Sequence, residues 1–166
     1  MADDPRRDSV TPALAALDGS GLHFRVVQTR PASSAEESAE LQGIELGALL
    51  RTIVVRRGAD DYFFVLVPGG RRFDWPKLRA HLGVSRLSLP NADEARAVTG
   101  YERGAITPFG ATRAWPVVID AAALDRPLVA IGGGKRGVNL HLAPQDLVTH
   151  LGAGVVDVSV PESTDS

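Results

Sequence analysis

The sequence contains no cysteine in its 166 residues. This absence excludes disulfide bonds, catalysis by a thiolate and a cysteine-ligated metal centre. No apolar run approaches the roughly 20 residues that a membrane-spanning helix needs. The first residues also lack the apolar stretch of a secretory signal. We therefore expect a cytoplasmic chain with no membrane partner, forming one domain that buries most of its apolar surface.

Signatures of several enzyme classes are also missing. The sequence has no G-x-S-x-G motif, so covalent acyl transfer has little support. It has no H-E-x-x-H motif and no other metal-ligand spacing among its histidines, so neither a metal nor a cofactor is predicted. The histidines are His23, His81, His141 and His150. His141 follows a glycine cluster on an alternating strand, where it either faces a pocket or has a structural role.

Lysine is scarce, with 2 Lys against 16 Arg, and the charge is unevenly distributed. Residues 45–145 hold 14 Lys and Arg against 9 Asp and Glu, a local charge of +5. The rest of the chain holds 4 against 11, a charge of −7. A basic centre with acidic flanks favours a polyanionic ligand such as RNA. The alternative is an arginine-rich surface that is simply solvated.

Hydrophobic periodicity and capping residues predict an α+β domain in which strands outnumber helices. The domain is expected over residues 10–160, with disordered tails at 1–9 and 161–166. The predicted helices are Thr11–Leu17, Ser34–Leu41, Glu45–Leu50, Asp74–Leu82, Ala92–Thr99 and one that begins at Pro144. The predicted strands are Leu22–Val27, Thr52–Arg56, Tyr62–Val67, Ser85–Leu89, Trp115–Ile119, Leu128–Gly132, Val138–Leu142 and Val155–Val158.

Two glycine-rich segments stand beside predicted strands. Thr99–Gly110 holds three glycines, one proline and two aromatic residues, a composition too rigid for a linker and unsuited to a helix or strand. Gly132–Gly137 is the second segment, and it matches neither the Walker A nor the dinucleotide-binding pattern. Glycine lets a ligand approach the backbone, where N–H groups can hold a carbonyl or phosphate oxygen. The alternative for either segment is a tight turn.

Two charged residues stand at strand ends. Arg51 precedes Thr52 at the start of a central strand, where it can clamp a phosphate or carboxylate or simply be exposed. Asp120 ends the Val117–Ile119 strand, a position that suits a turn carboxylate or a site residue.

In chain order these segments resemble the YbaK/ProX family of aminoacyl-tRNA deacylases, which includes the editing domain inserted in bacterial prolyl-tRNA synthetases. The resemblance covers roughly residues 20 to 158. The matching segments are Ser33–Leu41, Arg51–Val55, the T-G-Y-x-x-G-x-x-x-P-F-G run at Thr99–Gly110, Val117–Asp120 and Gly133–Gly137. The resemblance implies a compact single α+β domain with a curved, barrel-like mixed β-sheet, flanked by helices, around a small pocket.

The resemblance also implies a function. It suggests a proofreading hydrolase for translation fidelity, which removes a small, wrongly attached amino acid from the tRNA 3′ end, assisted by the substrate's ribose 2′-hydroxyl. The implied partners are aminoacyl-tRNA and a synthetase, without DNA. The implied catalytic positions are Arg51, Gly104 and Pro108. The implied substrate-binding positions are Thr52, Ala105, Ile106, Thr107, Phe109, Asp120, Gly133, Gly134, Lys135, Arg136 and His141.

Two positions depart from the family pattern. Arg51 stands where relatives usually carry lysine before the threonine, and its planar guanidinium is not equivalent to an ammonium group. Ala105 stands where many relatives have a second glycine. A second hypothesis is therefore a module that binds the tRNA end or its aminoacyl group but has lost hydrolysis because of Arg51.

Overall fold

The computed structural model of the chain describes residues 11–162. This range holds five α-helices and nine β-strands, so strands outnumber helices as predicted. The helices are α1 (Pro12–Leu17), α2 (Ala35–Gln42), α3 (Trp75–Leu82), α4 (Ala92–Thr99) and α5 (Pro144–Leu151). The strands are β1 (Arg25–Gln28), β2 (Leu50–Gly58), β3 (Asp61–Pro68), β4 (Arg71–Phe73), β5 (Val117–Asp120), β6 (Val129–Gly132), β7 (Val138–Leu142), β8 (Gly154–Val156) and β9 (Ser159–Pro161).

The strands form three sheets. The largest has the order β2-β3-β5-β8, in which β2 and β3 are antiparallel and the other two pairs are parallel. The second has the order β1-β7-β6, and β4 pairs with β9 in the third; both are antiparallel. The α+β class and the mixed sheet are therefore confirmed. The expectation of a barrel-like sheet needs a correction, because the sheet is not closed: Leu49, the residue before β2, forms one isolated bridge with Ala130 on β6.

Local capping chemistry fixes the ends of three helices, α2, α3 and α4. The side chains of Ser34, Asp74 and Asn91 accept hydrogen bonds from the third backbone N–H of α2, α3 and α4, at 3.0, 3.1 and 2.8 Å. Each of these helices ends at a glycine in the left-handed conformation, which costs glycine little. The three starts predicted from the sequence are therefore confirmed.

The core lies on both faces of the sheet that contains β2, β3 and β5. Because side chains alternate along a strand, Leu50 and Val54 pack in one cluster, whereas Val55 packs in another that α3 covers with Leu78. Burial of these side chains supplies the main stabilisation of the domain. β2 is an edge strand of its sheet, and its first residue, Leu50, is buried in the core.

Several short segments differ from the sequence prediction. The predicted helix at Glu45–Leu50 is a 3₁₀ turn over Leu46–Ala48, and Leu50 already belongs to β2. Ser85–Leu89 is not a strand; Ser88 forms one bridge with Arg56. The three-residue strands β4 and β9 were not predicted. Pro161 ends β9 and the Glu162 N–H donates to the Gly70 carbonyl at 2.9 Å, so pairing extends past the predicted boundary at residue 160. The predicted tail at 1–9, and residues 163–166 of the predicted tail at 161–166, lie outside the described residues.

The described residues contain no helix that is both long enough and apolar enough to cross a bilayer.

Candidate functional site

A cavity of about 480 Å³ lies where the start of β2, the start of α2 and the two glycine-rich segments meet. It is lined by Ala32, Ser33, Ser34, Ala35, Ser38, Leu49, Leu50, Arg51, Thr52, Ile53, Gly104, Ala105, Ile106, Gly132, Lys135, Arg136, Gly137, Val138 and Asn139. Residues far apart in sequence thus share one concave surface, which we call the central cavity.

The serine-rich rim of the central cavity is held by Glu37 on α2. Its Oε1 accepts hydrogen bonds from the Ser33 N–H at 3.3 Å and from Nη1 of Arg30 at 2.9 Å. The Ser33 backbone hydrogen bond, with a further contribution from Arg30, lowers the pKa of the Glu37 carboxyl. The charged carboxylate therefore orders the residues that lead into α2, and with them the Ser33 and Ser34 part of the cavity wall.

Arg51 and Thr52 bring unpaired polar atoms to the cavity. Nη2 of Arg51 donates to the Arg71 carbonyl on β4. By contrast, Nε of Arg51 and Oγ1 of Thr52 are buried without a hydrogen-bond partner among residues 11–162. Buried polar atoms are rarely left unpaired, because desolvation without a hydrogen bond is costly. Both residues line the central cavity, so we interpret these two atoms as candidates for contact with a ligand.

The Thr99–Gly110 loop is rigid because both of its ends are tied together. The Tyr101 hydroxyl donates to the Phe109 carbonyl at 2.6 Å, and the Tyr101 N–H donates to Oγ1 of Thr99 at 3.1 Å. Burial raises the pKa of Tyr101 to about 12, so the hydroxyl stays protonated and keeps donating. The loop contributes Gly104, Ala105 and Ile106 to the cavity wall.

Glycine is favoured at position 104 for two reasons, its backbone conformation and the nearness of Arg136. Its φ is +87°, and an added Cβ would lie 3.0 Å from Nε and Nη2 of Arg136. The guanidinium of Arg136 therefore lies against the backbone of the loop. Through this contact the two glycine-rich segments support each other at the cavity.

Replacing Gly104 by alanine should therefore disturb the site beyond its backbone strain. We expect an unfolding free energy lower by about 1–2 kcal/mol from the left-handed conformation, together with a measurable fall in the deacylation that the family resemblance implies, because Arg136 must move. Gly19→Ala is the matched control, since Gly19 has a φ of +75° and nothing within 4 Å of an added Cβ. Urea denaturation and initial deacylation rates test this. Equal rates in the two variants would contradict a role for the Gly104–Arg136 contact.

The second glycine cluster separates into a turn and a basic rim. Gly133 is buried, with its N–H donating to the Val138 carbonyl at 2.8 Å and its carbonyl accepting from Oγ1 of Thr11 at 2.5 Å. An added Cβ at Gly134 would lie 3.0 Å from the Tyr101 ring. Gly133 and Gly134 do not line the central cavity, whereas Lys135 and Arg136 do.

Three loop residues predicted for the site lie outside the lining. Thr107 and Phe109 are buried, and Phe109 packs with its ring 5.8 Å from that of His150. Oγ1 of Thr107 has no partner among the described residues. Pro108 lies between them and also does not line the cavity. The predicted part of the loop thus divides into a wall, residues 104–106, and a supporting part, in which Thr107 and Phe109 are buried and Pro108 is half-buried.

His141 has a structural environment. Nε2 lies 2.9 Å from Oε1 of Gln42, at the end of α2, and the residue is buried on β7 outside the cavity lining. Burial, reinforced by the charge of Arg25, lowers the pKa of His141 and keeps the ring neutral. The neutral ring joins α2 to β7, which agrees with the structural alternative left open by the sequence.

Asp120 is also outside the lining of the central cavity. It is 1% exposed, and its carboxylate accepts from the Val158 N–H at 3.0 Å and the Ala122 N–H at 3.3 Å. Oδ2 also lies 3.5 Å from Nε of Arg71. These contacts favour the turn role of Asp120 over the site role.

Several lining residues were not identified from the sequence. They are Ala32, Ser33, Ser34, Ala35, Ser38, Leu49, Leu50, Ile53, Gly132, Gly137, Val138 and Asn139. Their neighbours in sequence were recognised, but which of the flanking positions face a cavity depends on how α2 and β7 pack beside β2. The described residues also contain no group of three His, Asp or Glu side chains placed to hold a metal ion.

The family model of the aminoacyl-tRNA editing domain matches residues 29–150. The chain therefore belongs to the aminoacyl-tRNA editing domain family, which confirms the resemblance read from its motifs. It is 27% identical over 129 residues to the candidate Cys-tRNA(Pro)/Cys-tRNA(Cys) deacylase EbsC of Enterococcus faecalis, covering 78% of this chain and 79% of that protein. It is 28% identical over 116 residues to the multifunctional Ser/Thr-tRNA deacylase ProXp-y of Escherichia coli K12, covering 68% and 70%.

Comparison with a solved structure supports the same family. The crystal structure of a candidate trans-editing enzyme for prolyl tRNA synthetase matches with a TM-score of 0.83 and 28% identity. The match covers 96% of this chain and 99% of that chain. Family and fold therefore agree on the class of protein, an aminoacyl-tRNA editing domain.

Proposed function

We propose that this protein is a trans-editing hydrolase that deacylates mischarged aminoacyl-tRNA. The observation that carries the proposal is the central cavity, which combines Arg51, Thr52 and the Gly104–Ile106 wall in a member of the editing-domain family. Water attacks the carbonyl carbon of the aminoacyl ester, and the bond from that carbon to the ribose 3′ oxygen breaks. The products are the free amino acid and a tRNA with an intact 3′-hydroxyl.

The chemistry proposed here requires no side-chain nucleophile. The substrate's ribose 2′-hydroxyl assists the attacking water, and the protein orients the ester and stabilises the oxyanion. The Ala105 N–H already donates to the Glu102 carbonyl at 2.9 Å, whereas the Gly104 and Ile106 N–H groups have no acceptor within residues 11–162. We assign these two N–H groups to the oxyanion.

Arg51 and Thr52 hold the terminal nucleotide in this proposal. The unpaired Nε of Arg51 donates to the terminal phosphate or ribose, and Oγ1 of Thr52 completes its hydrogen bonding with the same nucleotide. Lys135 and Arg136 are exposed on the opposite rim and supply further positive charge. These roles follow from the lining and the unpaired atoms, together with the family's substrate class.

The size of the cavity favours a small amino acid. Its volume of about 480 Å³ is near the lower part of the range of ligand cavities, about 300–1,000 Å³, and the terminal nucleoside must share it. Leu49, Ile53, Ile106 and Val138 narrow the space with apolar side chains. Because one methylene changes binding by only about 1–3 kcal/mol, we expect activity toward several of alanine, cysteine, serine and threonine.

The second candidate function is a binding module that does not hydrolyse. One observation favours it: Nη2 of Arg51 is already engaged by the Arg71 carbonyl, so part of the guanidinium is occupied. A lysine at this position would carry its charge on a single ammonium group, whereas arginine spreads its charge over a planar guanidinium. The hydrolase binds tRNA and turns it over, whereas the binding module binds tRNA without turnover.

A panel of tRNAs charged with alanine, cysteine, serine or threonine separates these functions. We expect release of labelled amino acid at least tenfold faster than spontaneous hydrolysis for one or more of them. A tRNA charged with tryptophan is the matched control, because its side chain is too large for the cavity. Binding without turnover on every tRNA would favour the non-catalytic module, and absence of both binding and turnover would overturn both functions.

A further inference from the structure

A second cavity, of about 470 Å³, lies beside the central one. It is bounded by the start of α1, the end of α4 and the loops that follow α4 and β6. The two cavities share Ala105, Lys135 and Arg136 in their linings. We call the second cavity the basic cleft. A polymer whose end occupies the central cavity can therefore continue into the basic cleft without leaving the protein surface.

The charge of the basic cleft is predominantly positive. Its lining holds the cations Arg96, Arg103, Lys135 and Arg136 against the single carboxylate of Glu102. Nη1 of Arg96 lies 3.7 Å from Oε1 of Glu102, with side chains that are 68% and 76% exposed. Nη2 of Arg103 donates to the Pro90 carbonyl at 3.3 Å and the residue remains exposed. Such loose, solvated contacts can be exchanged for phosphate oxygens at little cost.

We propose that the basic cleft binds backbone phosphates of the tRNA acceptor strand immediately upstream of the terminal nucleotide. Arg96 and Arg103 are positioning residues in this arrangement, and Glu102 weakens the site by pairing with Arg96. The inference rests on the proposed function, because it takes the 3′ end to lie in the central cavity. It adds the direction in which the strand leaves that cavity.

A third cavity is also rich in arginine, but one of its arginines is already held by a carboxylate and is less available to a phosphate. It is lined by Arg56, Arg57, Arg79 and Arg86 and shares no residue with the central cavity. Arg57 is held by both carboxylate oxygens of Asp61, at 2.8 and 3.1 Å. This cavity therefore serves as the matched control, because it has four cationic side chains, as the basic cleft does, without continuity to the central cavity.

The test compares two double variants, Arg96→Ala/Arg103→Ala and Arg79→Ala/Arg86→Ala. The probe is a fluorescein-labelled RNA hairpin with a single-stranded CCA end, titrated at several salt concentrations. For the first double variant we expect a Kd about tenfold higher and a slope of log K against log salt that is smaller by about 1.4. The second double variant should match the wild type.

A third variant tests the same cleft by a gain of affinity, which a folding defect does not mimic. Glu102→Gln should lower the Kd for the hairpin several-fold, because Arg96 loses its competing carboxylate. Turnover gives an independent readout. In Arg96→Ala/Arg103→Ala, kcat/KM for aminoacyl-tRNA should fall more than kcat/KM for the aminoacyl ester of adenosine, which has no upstream phosphate.

The outcomes separate this inference from the proposed function. If the wild type neither binds the hairpin nor deacylates tRNA, the proposed function fails and the inference fails with it. If the wild type is active but both double variants lose affinity equally, general charge attraction explains binding and the cleft has no special role. If the wild type is active and Arg96→Ala/Arg103→Ala behaves like it, the inference alone is overturned. Displacement of the hairpin by millimolar inorganic phosphate at constant ionic strength would also overturn it, by indicating a single-anion site.

Discussion

Replacing Arg51 by alanine is expected to lower kcat/KM for deacylation by about 100-fold or more, whereas lysine keeps or raises it. Arg51 holds the terminal nucleotide in this proposal, and misplacing a bound substrate by about 1 Å can cost about 10² in rate. Arg51 supplies a buried, unpaired Nε at the cavity. Lysine retains the positive charge with three N–H donors, and it is the residue that the family pattern carries before the threonine, so activity should be kept or raised.

The experiment measures initial deacylation rates of the wild type, Arg51→Ala and Arg51→Lys on the tRNA that the panel identifies. Arg72→Ala is the matched control, because Arg72 is an exposed arginine on β4 that does not line the central cavity. Full activity in Arg51→Ala, or complete loss in Arg51→Lys, would contradict the proposed role of Arg51. An inactive wild type that gains turnover as Arg51→Lys would identify the chain as a binding module.

Replacing Asp120 by alanine should lower the free energy of unfolding by about 3–5 kcal/mol, the usual cost of removing one partner from a buried ion pair. The carboxylate is 1% exposed and faces the Arg71 guanidinium at 3.5 Å. It also accepts hydrogen bonds from two backbone N–H groups, of Val158 and Ala122. Alanine leaves these donors buried without an acceptor.

Urea denaturation monitored by tryptophan fluorescence gives the free energy of unfolding for this comparison. Asp125→Ala is the control, since Asp125 is an exposed aspartate at the end of the same 3₁₀ turn and should change stability by no more than about 0.5 kcal/mol. Unchanged stability with a higher KM in Asp120→Ala would instead assign Asp120 to substrate binding, the role that the family resemblance implied.

Features governed by local chemistry could be predicted from the sequence. Ser34, Asp74 and Asn91 were recognised as helix caps because the cap and the N–H that it accepts from lie three residues apart. The rigidity of Thr99–Gly110 was also recognisable, because glycine and proline restrict the backbone wherever they stand. The same holds for the basic and glycine-rich character of residues 132–137.

Features that depend on distant contacts could not be predicted. β4 and β9 have three residues each, too few to show an alternating pattern, and Arg71 and Ser159, which lie 88 positions apart, pair across them. Asp120 was ambiguous for the same reason, since the Val158 N–H that engages it comes 38 residues later. The basic cleft could not be predicted from the sequence, because its arginines lie on separate segments that meet only in the folded chain.

The position of Arg136 between the two cavities has an evolutionary consequence. Its guanidinium lies against Gly104, and the residue lines both the central cavity and the basic cleft. A substitution there changes the ester pocket and the adjoining positive surface together, whereas Arg51 and Arg96 each border one of them. Lineages that drift toward a new amino acid are therefore expected to vary at Ile53 or Val138 before they vary at Arg136, because those positions alter the pocket without altering the hold on RNA.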